Sequence, residues 1–347
     1  MKNEFRALYM DVHILQMLPP SNANRGEMGE PKTATIGGTT RTRISSQAQK
    51  RAARLYLMSH GADGAIRTRA TLDEIQKRLV SKGMEEDKAK ELAAKAAKDS
   101  GIVSSRSDAK DTLTFLSDAQ YDAVADVSLK AEKGEYADDK EYKNAIRNAV
   151  MDQPSADELL FGRMFASEPS LNYDAASQVM NAFSVNQVKY EFDYFTAVDD
   201  IVKNQGSAHM ESKMFTDPLL YRYANVNLSE TSELIRYNKD GAAEIASMFA
   251  EAFIRSMPSG ASNAFANVTL PSYVMIVLRD DQPVNFAPAF LTAVKGEDYL
   301  AEAVERLEQE ADRISSNYGA PVFVEKLGDK PLKEMLADMK DVIAGRI

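Results

Sequence analysis

Gln47, Lys50, Arg51 and Arg54 fall at i, i+3, i+4 and i+7, so on a helix they share one face. Three cations and an amide on one face suit a polyanion. Ser45 and Ser46 precede them and Gly61 follows. Either serine is a good N-cap and the glycine a good stop, so the spacing predicts a helix over about 46–59. The start of such a helix carries unsatisfied N–H groups and the positive end of the helix dipole, a phosphate-binding arrangement. The same wheel gathers Ala48, Ala52, Leu55 and Tyr56 on the expected core side.

The charge around this helix is out of keeping with the rest of the chain. From Ser21 to Arg54 the bases are Arg25, Lys32, Arg41, Arg43, Lys50, Arg51 and Arg54, against Glu27 and Glu30. The whole chain is acidic, with Asp+Glu 52, Lys+Arg 42 and a net charge of -10. That balance argues against indiscriminate nucleic-acid binding. It leaves room for a local basic groove, because salt screens exposed charge beyond ~8 Å. Gly37 and Gly38 are adjacent and lack the Lys and Ser/Thr of a nucleotide P-loop. Dispersed bases fit repeated phosphates better than one triphosphate. The bland alternative is a solvated basic face with an ordinary serine cap.

Other chemistry is sparse. His13 lies two residues from Asp11 on one strand face and could form an acid–base couple, although a structural histidine is the simpler reading. His60 and His209 make no spaced metal pair, and the absence of cysteine excludes disulfides and thiolate zinc sites. Ser45 and Ser46 lack the G-x-S-x-G elbow, and Asp199 and Asp200 read as turn or surface. Tyr190, Phe192, Tyr194 and Phe195 could stack on bases or pack in a core; pattern alone favours the core. No cofactor and no metal are expected.

The positioning elements follow from periodicity. Leu8, Met10, Val12 and Ile14 alternate with Tyr9, Asp11 and His13, which predicts a first strand. Residues 18–40, with Pro19, Pro20, Pro31 and four glycines, read as a long functional loop. Residues 71–155 read as a helical insertion with solvated charged faces, through Leu72, Ile75, Leu79, Leu92, Ala93 and Ala96. "ELLFGRMFA" reads as a short strand, and "NQVKYEFDYFTAVDDI", "LLYRYANVNL" and "LPSYVMIVLRD" as further strands. The polar stretch at 198–218 suggests a protruding hairpin or arm. Helices are expected over "GAAEIASMFAEAFIRSMP" and "EDYLAEAVERLEQEADRISSNYG". Without the insertions the order is βαββαβ, an α+β ferredoxin-like pattern shared by RNA-recognition domains. No apolar run approaches the ~18 residues of a membrane helix. The N-terminus does not read as a signal peptide, so a cytoplasmic protein without a membrane partner is expected.

Four stretches, "RTRISSQAQKRAAR", "FTAVDD" at 195–200, "QGSAH" at 205–209 and "YRYANVNL" at 221–228, together resemble the CasC family, the backbone subunits of the type I-E CRISPR surveillance complex, Cascade. The resemblance implies a hand. A modified RNA-recognition palm would occupy 1–70, 156–192 and 223–347, helical fingers 71–155, and a β-hairpin thumb 193–222. It implies copies stacked in a filament along one CRISPR RNA, beside other Cascade subunits, presenting the guide to target DNA without cutting. By position, Arg25 and Lys32 match basic residues of the loop after the first strand. Arg41, Arg43, Ser45, Ser46, Gln47, Lys50 and Arg51 match guide-backbone contacts, and Arg54 joins them on the helical face. Met164 matches a residue wedged at a kinked nucleotide, with Arg163 beside it. Tyr194 and Phe195 match the duplex-interrupting aromatic pair, where the family pattern has Trp first. Thr39 and Thr40 stand where a basic residue is expected. Backbone subunits of related type III complexes cut target RNA using an Asp in that first loop. Here only Glu27 and Glu30 could hold a metal for such an alternative.

Overall fold

The computed structural model describes residues 7–103, 113–165, 168–196, 210–234 and 239–347. The sequence stretches at 197–200 and 205–209, with Asp199, Asp200 and His209, lie outside the described residues. Two compact units are present, one of 1–56, 178–232 and 238–347, the other of 57–177 and 233–237.

In chain order the strands are β1 Tyr9–Met17, β2 Thr33–Ile36, β3 Thr39–Ile44, β4 Ala65–Thr68, β5 Thr114–Ser117 and β6 Ser177–Val179. They continue with β7 Ala182–Ser184, β8 Glu191–Thr196, β9 Met210–Phe215, β10 Leu219–Asn227, β11 Tyr273–Arg279 and β12 Phe323–Lys326. The helices are α1 Ser46–Ser59, α2 Thr71–Ser81, α3 Glu86–Asp99, α4 Asp118–Glu132, α5 Asp139–Met151 and α6 Ala156–Phe161. After these come α7 Leu228–Leu234, α8 Lys239–Arg255, α9 Ser262–Phe265, α10 Tyr299–Tyr318 and α11 Leu332–Arg346. Among the described residues no helix is long and apolar enough to cross a membrane.

The first unit is built on a sheet ordered β12-β11-β1-β10-β7-β3-β2, with β6 also paired to β10. Taken alone, β1, α1, β7, β10, α8 and β11 run strand, helix, strand, strand, helix, strand, and the four strands lie fourth, first, third, second across the sheet. β1 pairs antiparallel with β10 from Tyr9↔Asn227 to Met17↔Leu219, and on its other side with β11. Its alternating sequence suggested one wet face, yet both are buried because the strand is central and helices cover each side. Leu15, Tyr221, Met275 and Val277 pack with Leu307 and Ile314 of α10. On the opposite face Arg222 reaches the C-terminal end of α8, where Phe253 O and Ser256 O accept from Nη2 at 2.6 and 2.9 Å. Gln16 Oε1 takes Nη1 at 2.6 Å and Gln49 Oε1 takes Nε at 3.3 Å. One fully buried guanidinium thus joins β1, β10, α1 and α8, and burial pushes its pKa down to about 9.

Part of the expected loop is regular. Residues 33–44 form the hairpin β2–β3 with register Ile36↔Thr39, so Gly37-Gly38 is a two-residue turn. Both glycines have positive φ, +56 and +76, the geometry that matches the twist of paired strands. β3 then joins the sheet through Arg43↔Phe183 and Ile44↔Ala182.

The second unit is mainly helical and also carries the pair β4–β5. Ile75, Leu79, Leu92, Ala93 and Ala96 are in its core, while the charge runs sit outside in ion pairs such as Lys95–Asp99 and Lys143–Asp139. "ELLFG" is helical, not a strand. Ser155 and Glu158 form a capping box at the start of α6, and Gly162 at φ +76 ends it.

Candidate nucleic-acid interface

Two asparagines assemble the basic residues. Asn24 Oδ1 accepts the Ser45 N–H at 2.9 Å, and Asn24 O accepts the Lys32 N–H at 3.0 Å. Lys32 O accepts the Arg43 N–H at 2.7 Å. Asn181 Oδ1 accepts both the Ser46 N–H at 3.0 Å and Arg43 Nη1 at 3.3 Å. The Arg25 loop, the start of β2, the end of β3 and the first turn of α1 are therefore one connected framework. Sequence reading missed Asn24 and Asn181. Asparagine is known for bonding nearby backbone in turns, but partners 21 and 135 residues away are not readable from composition.

Helix α1 begins as expected. Buried Ser45 caps it, accepting the Ala48 N–H on Oγ at 3.3 Å, with the Gln49 N–H on its carbonyl. The predicted phosphate-ready terminus needs correction, because Asn181 and Ser45 already occupy the Ser46 and Ala48 amides. Gln47 and Arg51 are exposed, and Ser46, Lys50 and Arg54 are half-buried. Desolvation by burial holds the Lys50 ammonium below its usual pKa. The core side is rotated from the expected one. Gln49, Ala53 and Leu57 are buried and Leu55 is exposed. The reason is Gln49, whose amide donates to Met180 O at 2.8 Å while its oxygen holds Arg222.

Arg41 does not reach a surface. It is fully buried, and Nη1 donates to Ser184 O and Val185 O at 2.8 and 2.6 Å. Nη2 donates to Phe290 O at 3.3 Å, and Nε to Thr39 Oγ1 at 2.7 Å. Desolvation, then repulsion from Arg306, lowers its pKa. Thr39 is thereby committed to the interior of the hairpin, and Thr40 is exposed. Arg25 is exposed, and Lys32 and Arg43 are half-buried.

In the second unit Arg163 is likewise internal. It forms a buried ion pair with Glu158 at 2.7 Å and donates to Leu171 O and Val150 O. Phe165 and Tyr173 lie against its guanidinium. It anchors the fold rather than meeting a ligand, and its neighbour Met164 is 79% exposed.

The aromatic run divides between faces of the ribbon β8–β9. Phe192 and Tyr194, each 63% exposed, share one face. Phe195 lies on the other, with Lys213 Nζ 4.6 Å above its ring. The Tyr190 hydroxyl is spent on Pro31 O at 3.2 Å.

Asp11 and His13 are both buried. Asp11 accepts from Tyr223 Oη at 2.7 Å, Asn225 Nδ2 at 3.1 Å and the Val284 N–H at 3.0 Å. Burial nevertheless raises its pKa to about 6. His13 Nδ1 lies 2.9 Å from Tyr221 Oη and its ring stacks on Phe286 at 4.1 Å; burial lowers its pKa to about 3. The Glu30 carboxylate turns back on its own loop to accept the Met28 N–H at 3.1 Å, and Glu27 is exposed. Among the described residues no group of three or more His, Asp or Glu side chains is placed to hold a metal ion.

Comparison with known proteins gives this surface a context. A chain of a structure titled "CRISPR RNA-guided surveillance complex, pre-nicking" is similar at 32% identity and a TM-score of 0.81, covering 98% of this chain and 100% of that one. A chain from a second structure, titled "CRISPR RNA-guided surveillance complex", is similar at 29% identity and a TM-score of 0.62, with the same coverage. Among curated proteins no relative matches. The profile described as CT1975-like protein matches residues 10–341, nearly the full length, and the chain belongs to that family.

Proposed function

We propose that this chain is a non-catalytic backbone subunit of a type I-E Cascade, binding CRISPR RNA. Copies assemble along the guide beside other subunits and present its bases to target DNA. The sheet of the first unit, with its fourth-first-third-second strand order, serves as an RNA-recognition palm, the second unit as fingers and the β8–β9 ribbon as thumb. The observation that carries the reading is the framework of Asn24 and Asn181, which gathers Arg25, Lys32, Arg43 and the α1 face into one basic surface of an otherwise acidic protein. These groups grip phosphates and do not read base edges, which suits a ligand whose sequence varies.

Lys50→Glu with Arg51→Glu tests it. The double variant should keep its circular dichroism spectrum and lose RNA-dependent assembly. Unchanged assembly would remove α1 from the site.

A further inference from the structure

β12 lies at one end of the sheet of the first unit, paired with β11. The Leu327 N–H donates to Val274 O at 2.9 Å, and hydrogen-bonded pairs alternate along an antiparallel ladder. Val324, opposite Val277, and Lys326, opposite Met275, are therefore the residues whose backbone N–H groups face away from β11. Val324 is 42% exposed. An open edge of this kind is a template for a further strand. Val322, Phe323 and Val324 bring neither charge nor proline to blunt it.

The surroundings narrow the occupant. Val324 and Lys326 line a cavity of about 80 Å³ with Val277, Phe286, Ala311 and Asp312. Side chains on one face of a strand repeat every second residue, so an added strand would set an apolar side chain beside Val324 at the cavity. The lysines of the edge are already engaged. Lys326 is held by Glu308 at 2.6 Å, and Lys330 serves both Glu325, at 2.7 Å, and Asp338. Asp312 and Asp329 are exposed and make no ion pair with a described residue. An incoming segment thus meets carboxylates that lack a cation.

We infer that the open edge of β12 receives an extended, basic segment of a partner protein. The segment's backbone pairs with the N–H and carbonyl of Val324 and with the N–H of Lys326. One aliphatic side chain enters the cavity, and its lysines or arginines meet Asp312 and Asp329. This is strand addition, in which backbone hydrogen bonds give affinity and alternate side chains give selectivity. β12 lies at the opposite end of the sheet from the β2–β3 hairpin, so the RNA-binding reading stands or falls without it.

A short labelled peptide, a central valine flanked by lysines, tests the assignment by fluorescence anisotropy on the full chain. The net charge of -10 attracts any basic peptide, so the backbone decides. Two N-methylated versions carry their methyl groups on one strand edge or on the other. One should bind about tenfold more weakly, having lost its hydrogen bonds to β12, and the other should bind as the parent does. Val324→Lys, at an exposed position, should abolish binding and leave the circular dichroism spectrum unchanged. Asp312→Asn should weaken binding and flatten its salt dependence. Equal binding of the two N-methylated peptides, equal binding of a peptide with glutamates in place of the lysines, or binding of none would overturn the assignment. Self-association of the free chain that Val324→Lys breaks would mean a second copy covers this edge, and would also overturn it.

Discussion

Ser45 donates its backbone N–H to Asn24 Oδ1 at 2.9 Å, and this bond ties the Arg25 loop to the cap of the basic helix. Asn24→Ala should cost about 1 kcal/mol of stability and more than that in RNA affinity, because Arg25 loses its fixed position relative to α1. Thermal melts beside RNA titrations give the two losses, and equal losses would count against a positioning role.

Buried Arg41 should behave unlike the exposed arginines of the site. Arg41→Ala leaves the carbonyls of Ser184, Val185 and Phe290 without their donor and should destabilise by roughly 3–5 kcal/mol. Arg51→Ala, at an exposed position, should change stability by less than ~0.5 kcal/mol. It should also reduce the slope of log affinity against log salt by about 0.7. Denaturant titration and salt-dependent binding would separate the two classes. A stable Arg41→Ala variant with a shallower salt slope would restore Arg41 to the interface.

Gly37 and Gly38 should differ although they share a turn. A Cβ at Gly37 would lie 1.8 Å from Leu291 O, whereas nothing lies within 4 Å of one at Gly38. Gly38→Asn should be nearly neutral, since Asn tolerates positive φ. Gly37→Ala should cost more than 2 kcal/mol, the strain of φ added to a backbone clash. Equal melting temperatures would contradict the geometry.

The buried pair on β1 should shape the pH dependence of stability. Folding lowers the His13 pKa from 6.5 to about 3, so the unfolded chain gains a proton first as pH falls and stability declines between those values. Folding raises the Asp11 pKa from 3.8 to about 6, so its contribution is present below 3.8 and lost as pH rises through 6. The two oppose each other between pH 4 and 6. Asp11→Asn should therefore steepen the loss of stability on acidification, and His13→Phe should flatten or reverse it. Melting temperatures across pH 4–7 check both signs.

What was legible in the sequence follows from how local each cause is. β10, β11, α8 and α10 declare themselves because long periodic stretches bury a continuous face. The helix α1 was legible for a different reason, its terminal signals, a serine at 45 or 46 before it and Gly61 after it. The β2–β3 hairpin was not, because adjacent glycines read as loop until pairing partners are known. "ELLFG" has too few residues to distinguish a strand from α6. The basic stretch could be found as a cluster, but not sorted. Whether an arginine faces water or the interior depends on carbonyls such as those of Ser184 and Val185, 143 and 144 residues from Arg41. Gln49 rotated the buried side of α1 for a similar reason: its partners Met180 and Arg222 are distant in sequence.

Salt dependence of RNA binding addresses the basic surface directly. If Arg25, Lys32, Arg43, Lys50, Arg51 and Arg54 all meet phosphates, the slope of log affinity against log salt should be about -4 per subunit on a single strand.

The RNA that the chain carries out of cells tests the central claim most directly. Sequencing the RNA co-purified with the assembled protein should return molecules of uniform length with repeat-derived ends. A mixture of cellular RNAs without common ends would contradict a guide-binding role.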